Sequence, residues 1–380
     1  MEFSIIDIFL SCFATLYGVF VFILTLALWI YRSPRSQKQY FVSVLIPARN
    51  EERHIGDCLE ALAKQDYNQD YFEVIIINDR STDQTSAIAC SFTPRIKNLS
   101  VIEITETPAD MAPKKYALNE GIKAAKGHII LCSDADCYAE VSWIRTMTEC
   151  FAPEVGMVIG YSPIEPKNPW SVFHHFVALD SLALASAAAA SCVWNKPVTA
   201  TGRSLAYRKE AFNEVGGFSK IAHFISGDDD LLLGLFKKTK WKMAYNIRRD
   251  SLVLTQPPAT FKQFVNQKIR QASKGRHYSW NMVAALVAYY SFNLMLMTYA
   301  PFYLFDGQSN FWKWYPWIAK FSSDFILLFV GAVRFRKLFF LIMYPLLAFL
   351  HPLYIAVFGA WGQFGKFEWK DATHEKHLKV

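Results

Sequence analysis

Four short runs of β-favouring residues, each followed by polar residues, constrain the fold more than any other feature of this sequence. The runs are Phe41–Pro47, Phe72–Ile77, Leu99–Ile104 and Ile129–Cys132. Segments with helical signals lie between them, at Ile55–Lys64, from near Gln84 onward and at Lys115–Ala125. Strands that alternate with helices through short connections form parallel βαβ units. The sequence therefore predicts an α/β fold with a doubly wound, mostly parallel sheet.

The fourth run stops at two aspartates that are separated by one residue. Gly127 precedes the run, and Asp134 and Asp136 follow it directly. Open α/β sheets bind their ligands at the carboxyl ends of the strands, and two carboxylates in such a loop can hold a hard divalent cation through oxygen. The same residues also fit a turn with a helix N-cap. Taken alone, the pair leaves both interpretations open.

The apolar residues are concentrated towards the two ends of the chain. Ile5–Tyr31 and the region from Trp280 onward are apolar, whereas Arg32–Tyr278 has the composition of a soluble protein. Ile5–Tyr31 carries no charge after Asp7 and is long enough to cross a bilayer as a helix. It has neither a basic leader nor a small-residue cleavage site, so we expect a retained anchor rather than a signal peptide.

The charges around the first apolar segment predict its orientation. Arg32, Arg35 and Lys38 follow the segment, whereas Glu2 and Asp7 precede it. Because basic residues are retained on the cytoplasmic side, we expect the following soluble region to lie in the cytoplasm. The 7 cysteines show no metal-ligand spacing, which agrees with free thiols in a reducing compartment. These signals together predict a multi-pass protein of the cell (inner) membrane.

The net charge of +7 does not indicate a nucleic-acid partner. The lysines and arginines are dispersed, with acidic residues between them, and form no basic stripe. We interpret the excess of positive charge as membrane-proximal basic residues.

Three further apolar segments follow the soluble region: Trp280–Phe305, Ile318–Val333 and Leu338–Trp361. The second contains Asp324, which is costly in lipid and is therefore expected to face protein or water. Pro345 and Pro352 interrupt the third, which either crosses the membrane or re-enters it. We therefore divide the chain into an anchor (1–31), a soluble domain (40–279), a membrane region (280–361) and a basic tail (362–380).

Four motifs resemble those of family 2 glycosyltransferases and occur in the same order and spacing. They are VSVLIPARNEE, IIINDRSTDQT, KKYALNEGIKAAKG and SDAD. The resemblance covers about residues 40–280. It implies a GT-A fold and a nucleotide-diphosphate sugar as donor.

By this resemblance, the donor is bound at the ends of the first strands. The residues implied are Ala48, Arg49 and Glu51 in the nucleotide pocket, Asp79 at the base, and Lys114 and Asp134 near the diphosphate. Asp134 and Asp136 match the family's metal-binding DxD, which implies a divalent cofactor, Mg or Mn. A cation and a lysine at the strand ends would neutralise the diphosphate. Singly, Asp79 also fits a helix cap and Lys114 a solvated surface lysine.

The sequence GDDDL resembles the EDxDL motif that carries the family's general base. Gly227 stands where glutamate is usual, which makes Asp228 the base and Asp230 the second acid, but leaves the choice between Asp228 and Asp229 open. Adjacent carboxylates can raise one another's pKa, which suits a proton acceptor. One of the three also fits the N-cap of a helix at Leu231–Lys237.

Other segments resemble the acceptor side of the family. Gly202 and Arg203 belong to one of them, and the Ala/Ser-rich helix within Trp170–Trp194 fits either a packed helix or a wall of the acceptor cleft. Gln267 and Arg270 occupy the place of the family's QxxRW motif, which supports acceptor and diphosphate binding.

The QxxRW segment departs from the family pattern, because Gln271 stands where tryptophan is usual. Lys268 and the basic residues after it fit a second interpretation equally well, a basic stripe against anionic lipid headgroups.

Together, the apolar segments and the resemblance imply a membrane-bound, metal-dependent glycosyltransferase of the hexosyltransferase type. The resemblance alone implies that it is inverting. It would move a sugar from a nucleotide-diphosphate sugar to a lipid or lipid-linked acceptor, with its catalytic domain in the cytoplasm. A polysaccharide synthase is an alternative within the same class. A catalytically silent nucleotide-sugar-binding scaffold is another, because Gly227 and Gln271 depart from the family pattern.

Overall fold

The computed structural model of the protein describes residues 5–305, 311–364, 367–369 and 372–374. It contains two compact units. The sheet unit comprises Ile30–Lys167 and Leu184–Pro257, and the helical unit comprises Met1–Trp29, Asn168–Ala183 and Pro258–Val380.

The strands are β1 (Val42–Ala48), β2 (Phe72–Asp79), β3 (Leu99–Ile104), β4 (Ile129–Cys132), β5 (Cys137–Ala139), β6 (Val155–Gly160), β7 (Leu205–Arg208), β8 (Lys242–Asn246), β9 (Val253–Thr255), β10 (Phe367–Trp369) and β11 (Ala372–His374). The α-helices are α1 (Ile5–Ile30), α2 (Ile55–Ala63), α3 (Thr85–Ser91), α4 (Pro113–Ala124), α5 (Trp143–Thr148), α6 (Val172–Ser191), α7 (Lys209–Glu214), α8 (Asp230–Phe236), α9 (Phe261–Ala272), α10 (Trp280–Phe305), α11 (Phe311–Phe335) and α12 (Tyr344–Phe364). Short 3-10 helices occupy Gln69–Tyr71, Cys192–Trp194, Gly202–Ser204, Ser219–Ile221, Ser273–His277 and Leu338–Met343.

The sheet unit is built on a seven-stranded sheet with the order β3-β2-β1-β4-β7-β6-β8. All neighbouring strands are parallel except β7, which runs antiparallel to both β4 and β6. The four predicted strands are present, and this confirms the predicted α/β fold with a mostly parallel sheet. A second, two-stranded sheet pairs β5 with β9 in antiparallel fashion.

The sheet is buried because its central strands are apolar on both faces. Every residue of β2 and β4 is buried, as expected where helices cover both faces of a parallel sheet. In β1, Val44 and Ile46 contribute to the same core cluster as Leu131 of β4 and Trp143 of α5. This core fixes the strands whose carboxyl ends carry the predicted site residues.

The helical unit encloses polar side chains among apolar helices. Leu10, Phe292 and Trp317 belong to its core cluster. Lys320 is fully buried and pairs with Asp324 at 2.5 Å on the same helix, and Tyr17 donates a hydrogen bond to Asp324. Asp324 therefore faces protein, as the sequence predicts.

Four helical segments among the described residues are long and apolar enough to cross a membrane. They are Ile5–Ile30, Val172–Trp194, Trp280–Tyr299 and Leu338–Gln363. Three of them overlap predicted spans. Val172–Trp194 belongs to the segment for which the sequence leaves a packed helix or a wall of the acceptor cleft open; 67% of its most apolar stretch is buried, which fits the packed helix. The predicted span Ile318–Val333 is helical within α11 but is not one of the four. Most of the predicted tail, 362–380, lies outside the described residues.

Candidate active site

The polar segments that follow β1 and β2 are joined by hydrogen bonds. Asn50 is left-handed, with φ of 53°, and its side-chain oxygen accepts a hydrogen bond from Thr82 N at 2.9 Å. Glu51 N donates to Thr85 Oγ1 at 2.8 Å, and Asn50 N donates to Ser81 Oγ at 3.0 Å. These bonds hold residues 49–52 against residues 81–85, at the sheet edge where parallel strands end together.

The predicted nucleotide-pocket residues differ in their surroundings. Ala48 is buried at the end of β1, whereas Arg49 and Glu51 are half-buried in the loop that follows. Asp79 is buried at the end of β2 and accepts two bonds from the Arg80 guanidinium, at 2.7 and 3.2 Å. Asp79 is therefore held by an ion pair, and its contact with a base stays a prediction.

The acid pair after β4 offers oxygen ligands for a cation. Ligand atoms of Asp134, Asp136 and Cys137 lie within 4.8 Å of one another. Burial raises the pKa of the Cys137 thiol well above its usual range, and the two neighbouring carboxylates raise it further. The two carboxylates are hard oxygen donors of the kind that Mg²⁺ and Mn²⁺ prefer. The chemistry of these side chains therefore fits such a cation.

Lys114 connects the two groups of acids. Its Nζ lies 2.8 Å from Asp134 Oδ1 and 2.9 Å from Asp228 Oδ2. Burial lowers the pKa of Lys114, but the two carboxylates outweigh this and raise the pKa well above its usual value. Lys114 is thus a charged, mostly buried link, with 22% of its side chain exposed, and not a solvated surface lysine.

The three consecutive aspartates occupy different environments. Asp228 contacts Lys114, as described above. Asp229 is the N-cap of α8, since its Oδ1 accepts a hydrogen bond from Asp230 N at 2.7 Å. Its Oδ2 accepts a second bond, from Gly202 N at 3.1 Å. Asp230 is buried in the first turn of α8, which begins one residue earlier than predicted.

Gly227 explains the departure from the EDxDL pattern. Its φ is +94°, a conformation that residues with a side chain rarely adopt. A Cβ at this position would lie 2.5 Å from Leu231 side-chain atoms. A glutamate therefore does not fit at Gly227 in this conformation, and the chain turns here into Asp228.

Gly202 and Arg203 are also part of the assembly. A Cβ on Gly202 would lie 3.0 Å from Asp228 Oδ2 and 3.4 Å from Lys114 Nζ. Ser133 Oγ donates to the Arg203 carbonyl at 2.9 Å, which fixes this segment to the end of β4. The structure thus brings together these predicted site residues: Lys114, Asp134, Gly202, Arg203, Asp228, Asp229 and Asp230.

Gln267 and Arg270 lie on α9, in the helical unit. Lys268, between them, has only 7% of its side chain exposed and pairs with Asp180 at 2.5 Å. Its Nζ also lies 3.2 Å from Gln271 Oε1. The interpretation of Lys268 as part of a lipid-facing basic stripe is therefore wrong. Gln271, which replaces the usual tryptophan, helps to hold this buried lysine.

Two residues that contribute to the site were not predicted from the sequence. Ser133 carries no signal, because a serine before two aspartates is common in turns. Lys115 is fully buried, and it donates hydrogen bonds to the backbone carbonyls of Ser226, at 2.9 Å, and Phe224. Nothing in a Lys-Lys pair at the start of a helix distinguishes a buried lysine from an exposed one.

A family model described as glycosyl transferase family 2 matches residues 43–216. The probable glycosyltransferase YdaM of Bacillus subtilis is 28% identical over 243 residues, which cover 62% of this chain and 55% of that protein. The dolichyl N-acetyl-alpha-D-glucosaminyl phosphate 3-beta-D-2,3-diacetamido-2,3-dideoxy-beta-D-glucuronosyltransferase of Methanococcus voltae is 32% identical over 111 residues, 29% of this chain and 34% of that one. The chain thus spans about half of the first relative's length and a third of the second's.

A solved structure extends the likeness to nearly the whole chain. It is a mannosyltransferase from Pyrobaculum calidifontis in complex with GDP-Man and Mn²⁺, with a TM-score of 0.56 and 18% sequence identity. The alignment covers 93% of this chain and 99% of that one. At this identity the likeness concerns the fold, and it confirms the expected GT-A architecture.

Proposed function

Because a family model described as glycosyl transferase family 2 matches residues 43–216, we propose that the protein is a membrane-bound, inverting, metal-dependent glycosyltransferase. It moves a sugar, of the hexosyl type, from a nucleotide-diphosphate sugar to a lipid or lipid-linked acceptor. The observation that carries the proposal is the placement of the Lys114 ammonium between Asp134, at 2.8 Å, and Asp228, at 2.9 Å. This contact joins the diphosphate side of the site to the acid that serves the acceptor.

The donor side is formed by residues at the ends of β1, β2 and β4. A divalent cation held by Asp134 and Asp136 would supply positive charge that stabilises the diphosphate as a leaving group. Lys114 supplies a second positive charge at the same place, because its two carboxylate partners keep it protonated. Arg49, Glu51 and the neighbouring loop bind the nucleotide.

Asp228 is the general base in this proposal. Both carboxylate oxygens of Asp229 accept bonds from backbone N–H groups, so Asp229 stabilises the loop and the start of α8. Asp228 contacts the site lysine instead. The Asp228 carboxylate takes the proton from the acceptor hydroxyl as that oxygen attacks the anomeric carbon and the nucleoside diphosphate leaves from the opposite face. Single displacement of this kind inverts the anomeric configuration.

The acceptor is a lipid or lipid-linked molecule, and the catalytic domain lies on the cytoplasmic side. Support comes from the four apolar helices long enough to cross a membrane and from the name of the Methanococcus voltae relative, which acts on a dolichyl phosphate sugar. The basic residues Arg32, Arg35 and Lys38, which follow the first apolar segment, support the orientation. Gln267 and Arg270 belong to the acceptor and diphosphate side in this proposal.

The test is to incubate membranes that contain the protein with a panel of labelled nucleotide sugars and to extract the lipids. One donor should transfer label into the lipid fraction in a reaction that a metal chelator stops. Label that appears only in a water-soluble polymer would favour the polysaccharide synthase. Donor binding without any transfer would favour the scaffold.

A further inference from the structure

Lys115 is a buried lysine next to the site lysine, and the proposed reaction has no direct use for it. It is 0% exposed. Its Nζ donates to the carbonyl oxygen of Ser226 at 2.9 Å and to that of Phe224. Burial of an ammonium group is unfavourable unless hydrogen bonds compensate the lost solvation. We therefore look for the role of Lys115 in the two carbonyl groups that it binds.

The contacts of Lys115 belong to a larger set between the start of α4 and one loop. We call residues 222–228 the acid loop, because it leads into the aspartates. Ala112 N donates to the Ala222 carbonyl at 2.8 Å, at the beginning of this loop. Lys115 holds its middle, and Lys114 contacts Asp228 at its end. Residues 112–115 thus contact the acid loop at its beginning, its middle and its end.

The acid loop depends on such outside contacts for its shape. It contains no α-helix and no strand, and Gly227 is in the left-handed region. Glycine has no Cβ, so its backbone dihedral angles are the least restricted of any residue. The position of Asp228 is therefore set by what holds the preceding carbonyls, and Lys115 binds two of them.

Adjacent lysines can share this work because neighbouring residues of a helix point in different directions. Lys114 reaches side-chain carboxylates, and Lys115 reaches backbone carbonyls. An ammonium group has three donors and no acceptor, and its hydrogen bonds are stronger than those of a neutral donor. A neutral apolar residue at position 115 would leave the carbonyls of Phe224 and Ser226 without this donor.

We propose that Lys115 is a positioning residue, which fixes the backbone of the acid loop so that Asp228 stays beside Lys114 and Gly202. This inference rests on the proposed function, since it assumes that Asp228 is the base. The proposal assigns different roles to the two lysines of the Lys-Lys pair. Lys114 acts on the donor, whereas Lys115 acts on turnover through the placement of Asp228.

The kinetic test compares Lys115→Met with Lys123→Met in the full-length protein in membranes. Lys123 lies on the same helix, has 65% of its side chain exposed and pairs with Glu120, three residues before it, so it controls for loss of a lysine. We expect Lys115→Met to lower kcat by about 10-fold to 100-fold, as misplacement of a catalytic group by an ångström does, with an unchanged donor KM. An equal kcat in the two variants, or a raised donor KM in Lys115→Met alone, would overturn the proposal.

Two measurements without turnover keep the proposal separate from the assignment of the base. In the native wild-type protein, acetic anhydride followed by mass spectrometry should modify Lys123 and spare Lys115. Equal modification would contradict the positioning role of Lys115, even if Lys115→Met failed to fold. Hydrogen exchange in peptides that span residues 222–228 should be faster in Lys115→Met than in Lys123→Met, and equal exchange would overturn the proposal. If Asp228→Asn retained full transfer while exchange became faster in Lys115→Met as expected, the assignment of the base would fail and the contact of Lys115 with the acid loop would stand.

Discussion

Asp228, Asp229 and Asp230 have the same charge and adjacent positions, yet the structure gives each a different environment. Asp228 contacts an ammonium group, Asp229 accepts backbone hydrogen bonds, and Asp230 is buried in the first helical turn. Adjacent residues at a helix start point in different directions, so their chemistry is separable by substitution.

Asp229→Ala should reduce the stability of the sheet unit more than it reduces donor binding. Loss of an N-cap typically costs about 0.5–2 kcal/mol, and the N–H of Gly202 also loses its acceptor. Thermal unfolding of the purified protein measures the loss, with Asp250→Ala, at an exposed turn residue, as control. An unchanged unfolding temperature in Asp229→Ala would contradict the capping role.

Asp136→Asn should abolish the dependence of donor affinity on divalent metal, because an amide keeps the shape of the carboxylate but supplies no anionic ligand. Calorimetric titration of the donor, with and without Mn²⁺, measures this dependence. Asp110→Asn, at an exposed aspartate outside the strand ends, should behave as wild type. Metal-linked donor affinity that survived in Asp136→Asn would refute the metal role of the pair.

At the scale of secondary-structure elements, the turn into α8 depends on Gly227 and the helix itself contains a second glycine, Gly234. The two positions form a matched pair. Gly227 has a φ of +94° and its Cβ would meet Leu231 at 2.5 Å, whereas a Cβ on Gly234 has no neighbour within 4 Å.

Gly227→Ala should therefore destabilise the protein by about 1–3 kcal/mol, the usual cost of a non-glycine residue in a strained conformation. Gly234→Ala should be neutral or stabilise it by up to about 1 kcal/mol, because alanine is the better helix former. Chemical denaturation in urea measures both. Equal effects of the two substitutions would show that the acid loop does not adopt the left-handed turn described here.

Local sequence patterns predicted the secondary-structure elements well, but they did not predict contacts between segments that are distant in the sequence. The apolar run Ile129–Cys132 forms β4 with the predicted bounds, because the signal of a short buried strand lies in consecutive apolar residues. The insertion of β7 between β4 and β6 depends on pairing between distant segments, which carries no local signal. The same holds for Lys268, whose partner Asp180 lies 88 residues away in the sequence.

At the scale of the site, the motifs predict which residues carry the chemistry, but not how these residues contact one another. The Lys114 contacts with Asp134 and Asp228 join segments that are distant in the chain, and only the folded sheet unit brings them together. The choice between Asp228 and Asp229 as base depends on hydrogen bonds that no spacing in the sequence specifies.

At the scale of the whole molecule, the proposed orientation places the sheet unit on the cytoplasmic side of the membrane. The described cysteines are all free, and Cys90 is exposed whereas Cys58 is buried, so Cys90 reports on orientation. In intact cells, a membrane-impermeant maleimide should fail to label Cys90 and should label it once the membrane is opened. Labelling of Cys90 in intact cells, in a Cys12→Ser background that removes the other exposed thiol, would place the sheet unit outside.

The most direct test of the account compares Asp228→Asn with Asp229→Asn in the transfer of labelled sugar into extracted lipid, at saturating donor. General-base catalysis contributes about 10²–10⁴-fold to rate, so Asp228→Asn should lose turnover by this factor while its donor affinity stays near that of the wild type. Asp229→Asn should lose far less, because its role is to cap α8. An active Asp228→Asn beside an inactive Asp229→Asn would contradict the account, and full activity in both would place the base elsewhere.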